Sequence, residues 1–278
     1  MTPRPRPSAP RGPHRGGPRP ANSRPAPRRP VNEGLGGEQV EGRRAVLELL
    51  RARRRAVQRI LIADQQDPSE VLDEIEREAQ RQRVPVSVVA MARLDREART
   101  EGHQGVVAYA GRLPTTGLET LINDRAFLLV CDGVTDPRNL GAMLRSADGA
   151  GVTGVVLPRH RSARISPTVT KTAAGAIEYL DFCDVGGIPA ALDQLNKAGV
   201  LTVGLAGESS TSLYDLDLGS TPVALVVGGE EKGLGSLARK RCAVVASIPQ
   251  LGKISSLNAG VAYSIAAFEV ARQRRAHR

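Results

Sequence analysis

From residue 35 onward, short continuous apolar runs alternate with longer stretches in which apolar residues recur every three or four positions. The segment "EGRRAVLELLRARRR" places Ala45, Val46, Leu49 and Leu50 on one stripe, which predicts a helix. "RILIA" (59–63) reads as a strand, and "PSEVLDEIEREAQRQR" (68–83) as a helix opened by Pro68. "VPVSVVA" (84–90) and "GVVAYA" (105–110) read as two more strands, which together predict a small α/β unit. "GRLPTTGLETLIND" (111–124) mixes turn residues with little periodicity and marks a boundary. Beyond it, strands are expected at 126–134, 154–158, 201–207, 223–230 and 244–249. Helices are expected near 139–150, 167–180, 188–198, 234–241 and 256–272. Continuous apolar strands separated by helices imply a parallel sheet covered on both faces. Ligands of such sheets bind outside the carboxyl ends of the strands, which directs attention to the loops after Val134, Gly204, Val227 and Ile248.

Composition changes this picture mainly at the N-terminus. The chain of 278 residues carries a formal charge of +10, but residues 1–30 hold eight arginines and ten prolines without one acid. The remaining body is close to neutral, at about +2. A segment with no Val, Ile, Leu or Phe cannot bury enough apolar surface to offset its ordering entropy, so residues 1–34 are expected to be a disordered basic tail. Both an RNA-binding arm and a solubilising extension fit that tail. On the helix at 43–55, Arg43, Arg44, Arg51, Arg53, Arg54 and Arg55 face away from the apolar stripe, as either a solvated surface or a phosphate-facing one.

Aromatic residues are only 3% and Trp is absent, which argues against nucleic-acid binding by stacked aromatic platforms. The cysteines (Cys131, Cys183, Cys242) are far apart, and the histidines show no metal-ligand spacing, so reduced structural thiols and no metal are expected. No apolar run is long enough to span a membrane, and the N-terminus lacks the apolar core of a secretory signal. A cytoplasmic protein is expected.

Three of the loops hold candidate chemistry. In "DGVTDPRNLGAMLRSADGAG", Asp136-Pro137 makes a turn, Asn139 is a candidate helix cap, and Leu140, Met143, Leu144 and Ala147 form a buried face. Arg145 lies six residues beyond Asn139, roughly 240° around the helix, where a purely structural role explains it poorly. In "VVGGEEKGLGS", Gly228 and Gly229 allow close backbone approach to a ligand, followed directly by Glu230. A dinucleotide-binding signature, GxGxxA at 233–238, also passes here, but it starts too far after the strand and lacks the acid expected about 20 residues on. In "IPQLGKISSLNAGVAYSIAAFEVA", Ser255 or Ser256 is the expected N-cap, with Leu257, Val261, Ile265 and Phe268 at helical spacing. Asn258 is more than such a cap requires.

Together, "DPRNLGAMLRSA", "LVVGGEEKGL" and "IPQLGKISSLNAGVAYSIAAFE" resemble the three signature motifs of the SpoU/TrmH-type RNA 2′-O-ribose methyltransferases of the SPOUT superfamily. The unit ending "HQGVVAYA" resembles the L7Ae/L30e-like RNA-binding domain of the bacterial 23S rRNA guanosine methyltransferase subgroup. The segment "KTAAGA" (171–176) departs mildly from the Ser-Ala-Gly-Ala common in relatives. The resemblance implies a tail (1–34), a substrate-binding α/β domain (35–110), a linker (111–122) and a SPOUT α/β-knot domain (123–278) with a deep trefoil knot. It also implies an obligate homodimer and S-adenosylmethionine as cofactor. Carried over by position, cofactor contacts fall at Gly207, Gly228, Ile248 and Leu257, and catalytic or substrate-side positions at Asn139, Arg145, Glu230, Ser256 and Asn258.

Methyl transfer from a sulfonium to a ribose hydroxyl requires alignment and removal of the 2′-OH proton. An arginine, with a pKa above about 12, is a poor base. Arg145 is therefore expected mainly to orient the ribose and its phosphate and to stabilise the developing alkoxide. In relatives this arginine completes the partner subunit's pocket. A guanosine of 23S rRNA is the favoured substrate, with a tRNA ribose or a resistance-type 23S rRNA nucleotide as alternatives. A catalytically dead RNA-binding protein would share the tail and the N-terminal unit, but would not need the intact set of polar residues.

Overall fold

The computed structural model describes Met1, residues 35–253 and residues 256–277. The expected basic tail and Ser255 therefore lie outside the described residues. In chain order the elements are β1 (Gln39–Glu41), α1 (Arg43–Ala52), β2 (Val57–Ala63), α2 (Glu70–Gln82), β3 (Val86–Val89), α3 (Met91–Glu97), β4 (Val106–Ala110) and α4 (Leu118–Leu121). There follow β5 (Phe127–Asp132), α5 (Pro137–Ala150), β6 (Gly154–Pro158), α6 (Pro167–Thr172), β7 (Asp181–Val185), α7 (Ile188–Lys197) and β8 (Leu201–Leu205). The chain closes with β9 (Val223–Gly228), α8 (Ser236–Arg241), β10 (Val244–Ala246) and α9 (Ala259–Ala276).

The first seven elements build a four-stranded sheet in the order β1-β4-β2-β3, parallel only between β2 and β3. The apolar stripe of α1 (Ala45, Val46, Leu47, Leu49, Leu50) packs on Ile60, Ile62, Val106 and Ala108 of this sheet. The second sheet is entirely parallel, in the order β10-β8-β9-β5-β6-β7. Its strands are near-continuous apolar runs because both faces are covered. One face packs Phe127, Leu129, Leu225 and Val227 against α5 and α9, and the other packs Leu128, Val130, Ala224 and Val226 against α7 and α8. β8 crosses back to the far side of β9, so the sheet carries a topological switch point at the adjoining carboxyl ends of β9 and β5.

The expected helix over 167–180 ends at Thr172. Ala174 (φ 51°) and Gly175 (φ 92°) turn left-handed, and a Cβ on Gly175 would stand 2.4 Å from Glu48 Cβ. The chain bends there because α1 lies directly against it. The cysteines are free, and burial, aided by nearby Glu230 and Asp132, pushes the Cys131 thiol up to about 12. It behaves as a core side chain rather than a nucleophile. Among the described residues no helix is long and apolar enough to cross a membrane.

The arginine-rich face of α1 is committed largely to the protein itself. Arg51 pairs with Glu48 and Glu74, Arg53 with Glu78, and Arg43 donates to Gln66 and to the Gln104 carbonyl. Arg54 donates to the Leu180 carbonyl (2.9 Å) and to Asp181 (2.5 Å). Arg55 is buried, forked on both oxygens of Glu178 (2.5 and 2.9 Å), with its remaining amine on the carbonyls of Gly37 and Gly111. Only Arg44, among these six and the described residues, makes no such contact.

Arg55 and Glu178 thus join the first sheet to the loop that precedes β7. Their partners are complete, which is the condition under which a buried ion pair persists. Replacing Arg55 by Met strands the Glu178 carboxylate and should cost about 3–5 kcal/mol in urea unfolding. The double variant Arg55→Met/Glu178→Leu should recover much of that loss, and equal losses in single and double variants would contradict the assignment.

Candidate active site

Three strand ends and the start of a helix meet at one cavity of about 410 Å³. Leu205 to Glu208 line it after β8, Val227 to Glu230 after β9, Ala246, Ile248 and Gln250 after β10, and Ser256 to Ala259 at the entry to α9. Its volume falls in the range of about 300–1,000 Å³ typical of small-molecule sites. The floor is apolar (Leu205, Val227, Leu234, Ala246, Ile248), and much of the wall is main chain at Gly207, Gly228, Gly229 and Gly233. Gly228 is held to glycine by contact alone: a Cβ there would lie 2.0 Å from the Gly233 carbonyl carbon. The loop from Gly229 to Leu234 is folded back by a Gly233 N–H bond to the Gly229 carbonyl (2.9 Å). It is anchored at its far end by the Gly235 N–H donating to Asp132 Oδ2 (2.7 Å).

Along one wall of the cavity runs a hydrogen-bonded relay. Asn258 Nδ2 donates to Asn139 Oδ1 (3.0 Å), and Asn139 Nδ2 donates to Glu230 Oε1 (2.8 Å). The start of each helix here differs from expectation. The N-cap of α5 is Asp136, whose carboxylate accepts from the Arg138 N–H (2.8 Å), with Pro137 at the first helical position. Asn139 is therefore not the cap: it lies in the first turn, buried, with its amide free to reach Glu230. The N-cap of α9 is neither serine but Asn258, whose Oδ1 accepts from Gly260 N–H (2.9 Å) and Val261 N–H (3.2 Å). Asn258 is at once cap and relay member.

Glu230 ends this relay as the only carboxylate in it. Burial pushes its carboxyl up, but the Asn139 amide and the backbone N–H groups of Glu230, Thr135 and Asp136 outweigh that, holding it below its ordinary value. It therefore stays ionised and acts as a fixed acceptor.

Of the nine residues singled out in the sequence, eight gather here. Gly207, Gly228, Glu230, Ile248, Ser256, Leu257 and Asn258 line the cavity, and Asn139 reaches it through Glu230 and Asn258. Arg145 does not join them. It is exposed on α5, and among the described residues it makes no hydrogen bond or ion pair. The stripe expected to be buried on α9 is also turned: Tyr263, Ala266, Ala267 and Val270 face the core, whereas Val261 and Phe268 are 49% and 52% exposed. The cavity residues that escaped the sequence reading include Glu208, Lys232, Leu234, Arg239 and Gln250. Only Leu234 carried a signal, as the first apolar residue after the glycine turn.

With this geometry in view, the matches to known proteins are decisive. Residues 126–268 match the model of the SpoU rRNA methylase family, and residues 39–115 match that of the RNA 2′-O ribose methyltransferase substrate-binding region. The chain belongs to the SpoU family of RNA 2′-O-ribose methyltransferases. It is 42% identical over 246 residues to the 23S rRNA (guanosine-2′-O-)-methyltransferase RlmB of Pseudomonas aeruginosa, covering 85% of this chain and 97% of that protein. It is 45% identical over 224 residues to the RlmB of Xylella fastidiosa strain Temecula1, covering 78% and 89%. Its fold matches the SpoU methyltransferase AviRb from Streptomyces viridochromogenes in complex with AdoMet, with a TM-score of 0.72 at 24% identity, over 86% of this chain and 90% of that one. S-Adenosylmethionine is the methyl donor of this family, and the cavity suits it: an apolar, main-chain-rich floor for a nucleoside beside charged side chains for an amino acid.

The ionisation of Glu230 gives a sign-definite expectation. Its lowered pKa contributes stability that is present above the ordinary Glu value of about 4.3 and is lost as pH falls through its native value. Asn139→Ala removes a hydrogen bond to the charged form and should move the Glu230 titration upward in a carboxyl-carbon NMR experiment. An unmoved titration would show that the relay does not hold the carboxylate.

Proposed function

We propose that this SpoU-family enzyme methylates the ribose 2′-oxygen of a guanosine in 23S rRNA, acting as a cytoplasmic homodimer. The observation that carries this reading is the relay Asn258–Asn139–Glu230 along the wall of a nucleoside-sized cavity, in a chain whose relatives bear that activity in their names. A protein that only bound RNA would not need this set. The tRNA alternative finds no comparable support, since residues 39–115 match a substrate-binding region shared with the rRNA-modifying relatives.

When bound, the cofactor supplies an electrophilic methyl group. The chain's own residues supply placement. Gly207, Gly228, Ile248 and Leu257 present main chain and apolar surface to it, which is why none of them is charged. Ser256 and Asn258 lie at the mouth, and Asn139 and Glu230 hold Asn258 in register. Arg145 acts on the pocket of the second subunit, orienting the ribose and its adjacent phosphate and stabilising negative charge on the attacking oxygen. Its exposure outside its own cavity supports that division, as does the apolar surface left open on α9 by Val261 and Phe268, which a second copy would cover.

Residues 35–110 are the RNA-binding domain, 111–122 the linker and 123–278 the catalytic domain, with the basic tail (1–34) as a further phosphate contact. The catalytic domain carries a deep trefoil knot. The outer position of β10 beside β8, and the return of α9 to α5 across β9, support that chain path.

Arg145→Ala should lower single-turnover methyl transfer by about a hundredfold or more while cofactor affinity stays within about twofold. Full activity of Arg145→Lys would sink both the orienting and the charge-stabilising role. Mixed dimers of Arg145→Ala with Asn139→Ala subunits contain one complete pocket and should regain activity lost in either homodimer. Failure to regain it would overturn the shared pocket. Mapping 2′-O-methylation in ribosomal and transfer RNA, with and without the protein, tests the substrate.

A further inference from the structure

Four charged side chains line the cavity: Glu208, Glu230, Lys232 and Arg239. Glu230 is committed to the relay through Asn139. Glu208, on the turn after β8, and Arg239, on α8, form an ion pair with each other at the rim. Nothing in the packing of the fold requires them: Arg239 is 39% exposed and Glu208 is 67% exposed. An ion pair so open to water contributes little stability, about 0–1 kcal/mol in general, and so costs little to open.

The amino-acid tail of S-adenosylmethionine is a zwitterion, with an ammonium and a carboxylate on one carbon. Binding it in a partly enclosed cavity requires an anion and a cation held close together, and Glu208 is the one anion on the wall that the relay does not use. Arg239 stands beside it with a planar fork that matches a carboxylate in two-pronged fashion. We propose that the Glu208–Arg239 pair is the subsite for this tail, Arg239 receiving the carboxylate and Glu208 the ammonium. The two residues exchange one ion pair for two as the cavity fills. The backbone N–H of Glu208 and the Arg239 guanidinium both hold the Glu208 carboxyl below its ordinary value, so it meets the ammonium ionised. The assignment rests on the family's cofactor occupying this cavity.

The test separates the tail from the rest of the cofactor. Full-length protein, without RNA, is titrated calorimetrically with S-adenosylhomocysteine, which has the tail, and with 5′-methylthioadenosine, which lacks it. Arg239→Gln and Glu208→Gln should each weaken S-adenosylhomocysteine by about tenfold or more and leave methylthioadenosine within about twofold of wild type. The preference of the wild type for the tailed ligand should shrink in both variants, and Arg239→Lys should restore part of it. Equal weakening of both ligands would assign the pair to the adenosine moiety or to loop structure and overturn the proposal, as would unchanged affinity for S-adenosylhomocysteine. Failure to methylate 23S rRNA would count against the proposed substrate and leave this ligand preference untouched.

Discussion

The structure of the site depends on a chain of amides whose direction is fixed by its two ends. Glu230, as a carboxylate, only accepts hydrogen bonds, so Asn139 must present its Nδ2 to it. Asn258 must present its Oδ1 to the unsatisfied N–H groups of the first turn of α9, which leaves its Nδ2 for Asn139 Oδ1. No amide in the relay can flip without stranding a partner. A helix cap at one end and an ionised carboxylate at the other thereby lock together the starts of α5 and α9 and the turn after β9. Those segments are far apart in the chain, and the last two bound the same cavity.

Around this relay the fold divides its labour. The parallel sheet delivers β9 and β5 side by side at its switch point, where the loops carrying Glu230 and Asn139 meet. Glycines at 228 and 229 bring main chain into van der Waals contact with Gly233 and Gly133, making a thin wall on which a nucleoside can rest. Farther away, the buried fork between Arg55 and Glu178 ties the first sheet to the second. Two isolated bridges, Gly36 with Ile165 and Thr116 with Cys183, add main-chain pairing between the same parts. The first sheet is thereby held at a set offset from the cavity.

Much of this was legible in the sequence, for physical reasons. Apolar runs such as "AFLLVCD" and "VALVVGG" are buried on both faces, and that alone indicated a parallel sheet and hence where a ligand would sit. The polar residues of the three loops stood out because helix starts did not need them all. What escaped was tertiary in origin. Asp136, directly before a proline-started helix, takes the cap expected of Asn139, and Asn258 takes the one expected of a serine. The periodicity of α9 fits two overlapping apolar stripes, and only packing decides that Tyr263 and Val270 face inward while Val261 and Phe268 remain outside. The arginines between 43 and 55 looked available to phosphates because, Glu48 apart, their carboxylate partners lie on other elements, more than twenty residues away along the chain.

Asn258, Asn139 and Glu230 act as one unit in shaping the cofactor cavity. Asn258 and Glu230 do not touch, so their coupling has to pass through Asn139. A double-mutant cycle of Asn258→Ala and Glu230→Gln, read as S-adenosylmethionine dissociation constants, tests this most directly. A coupling energy of about 0.5–3 kcal/mol is expected, collapsing when the cycle is repeated in an Asn139→Ala background. Additive effects of the two substitutions would contradict it.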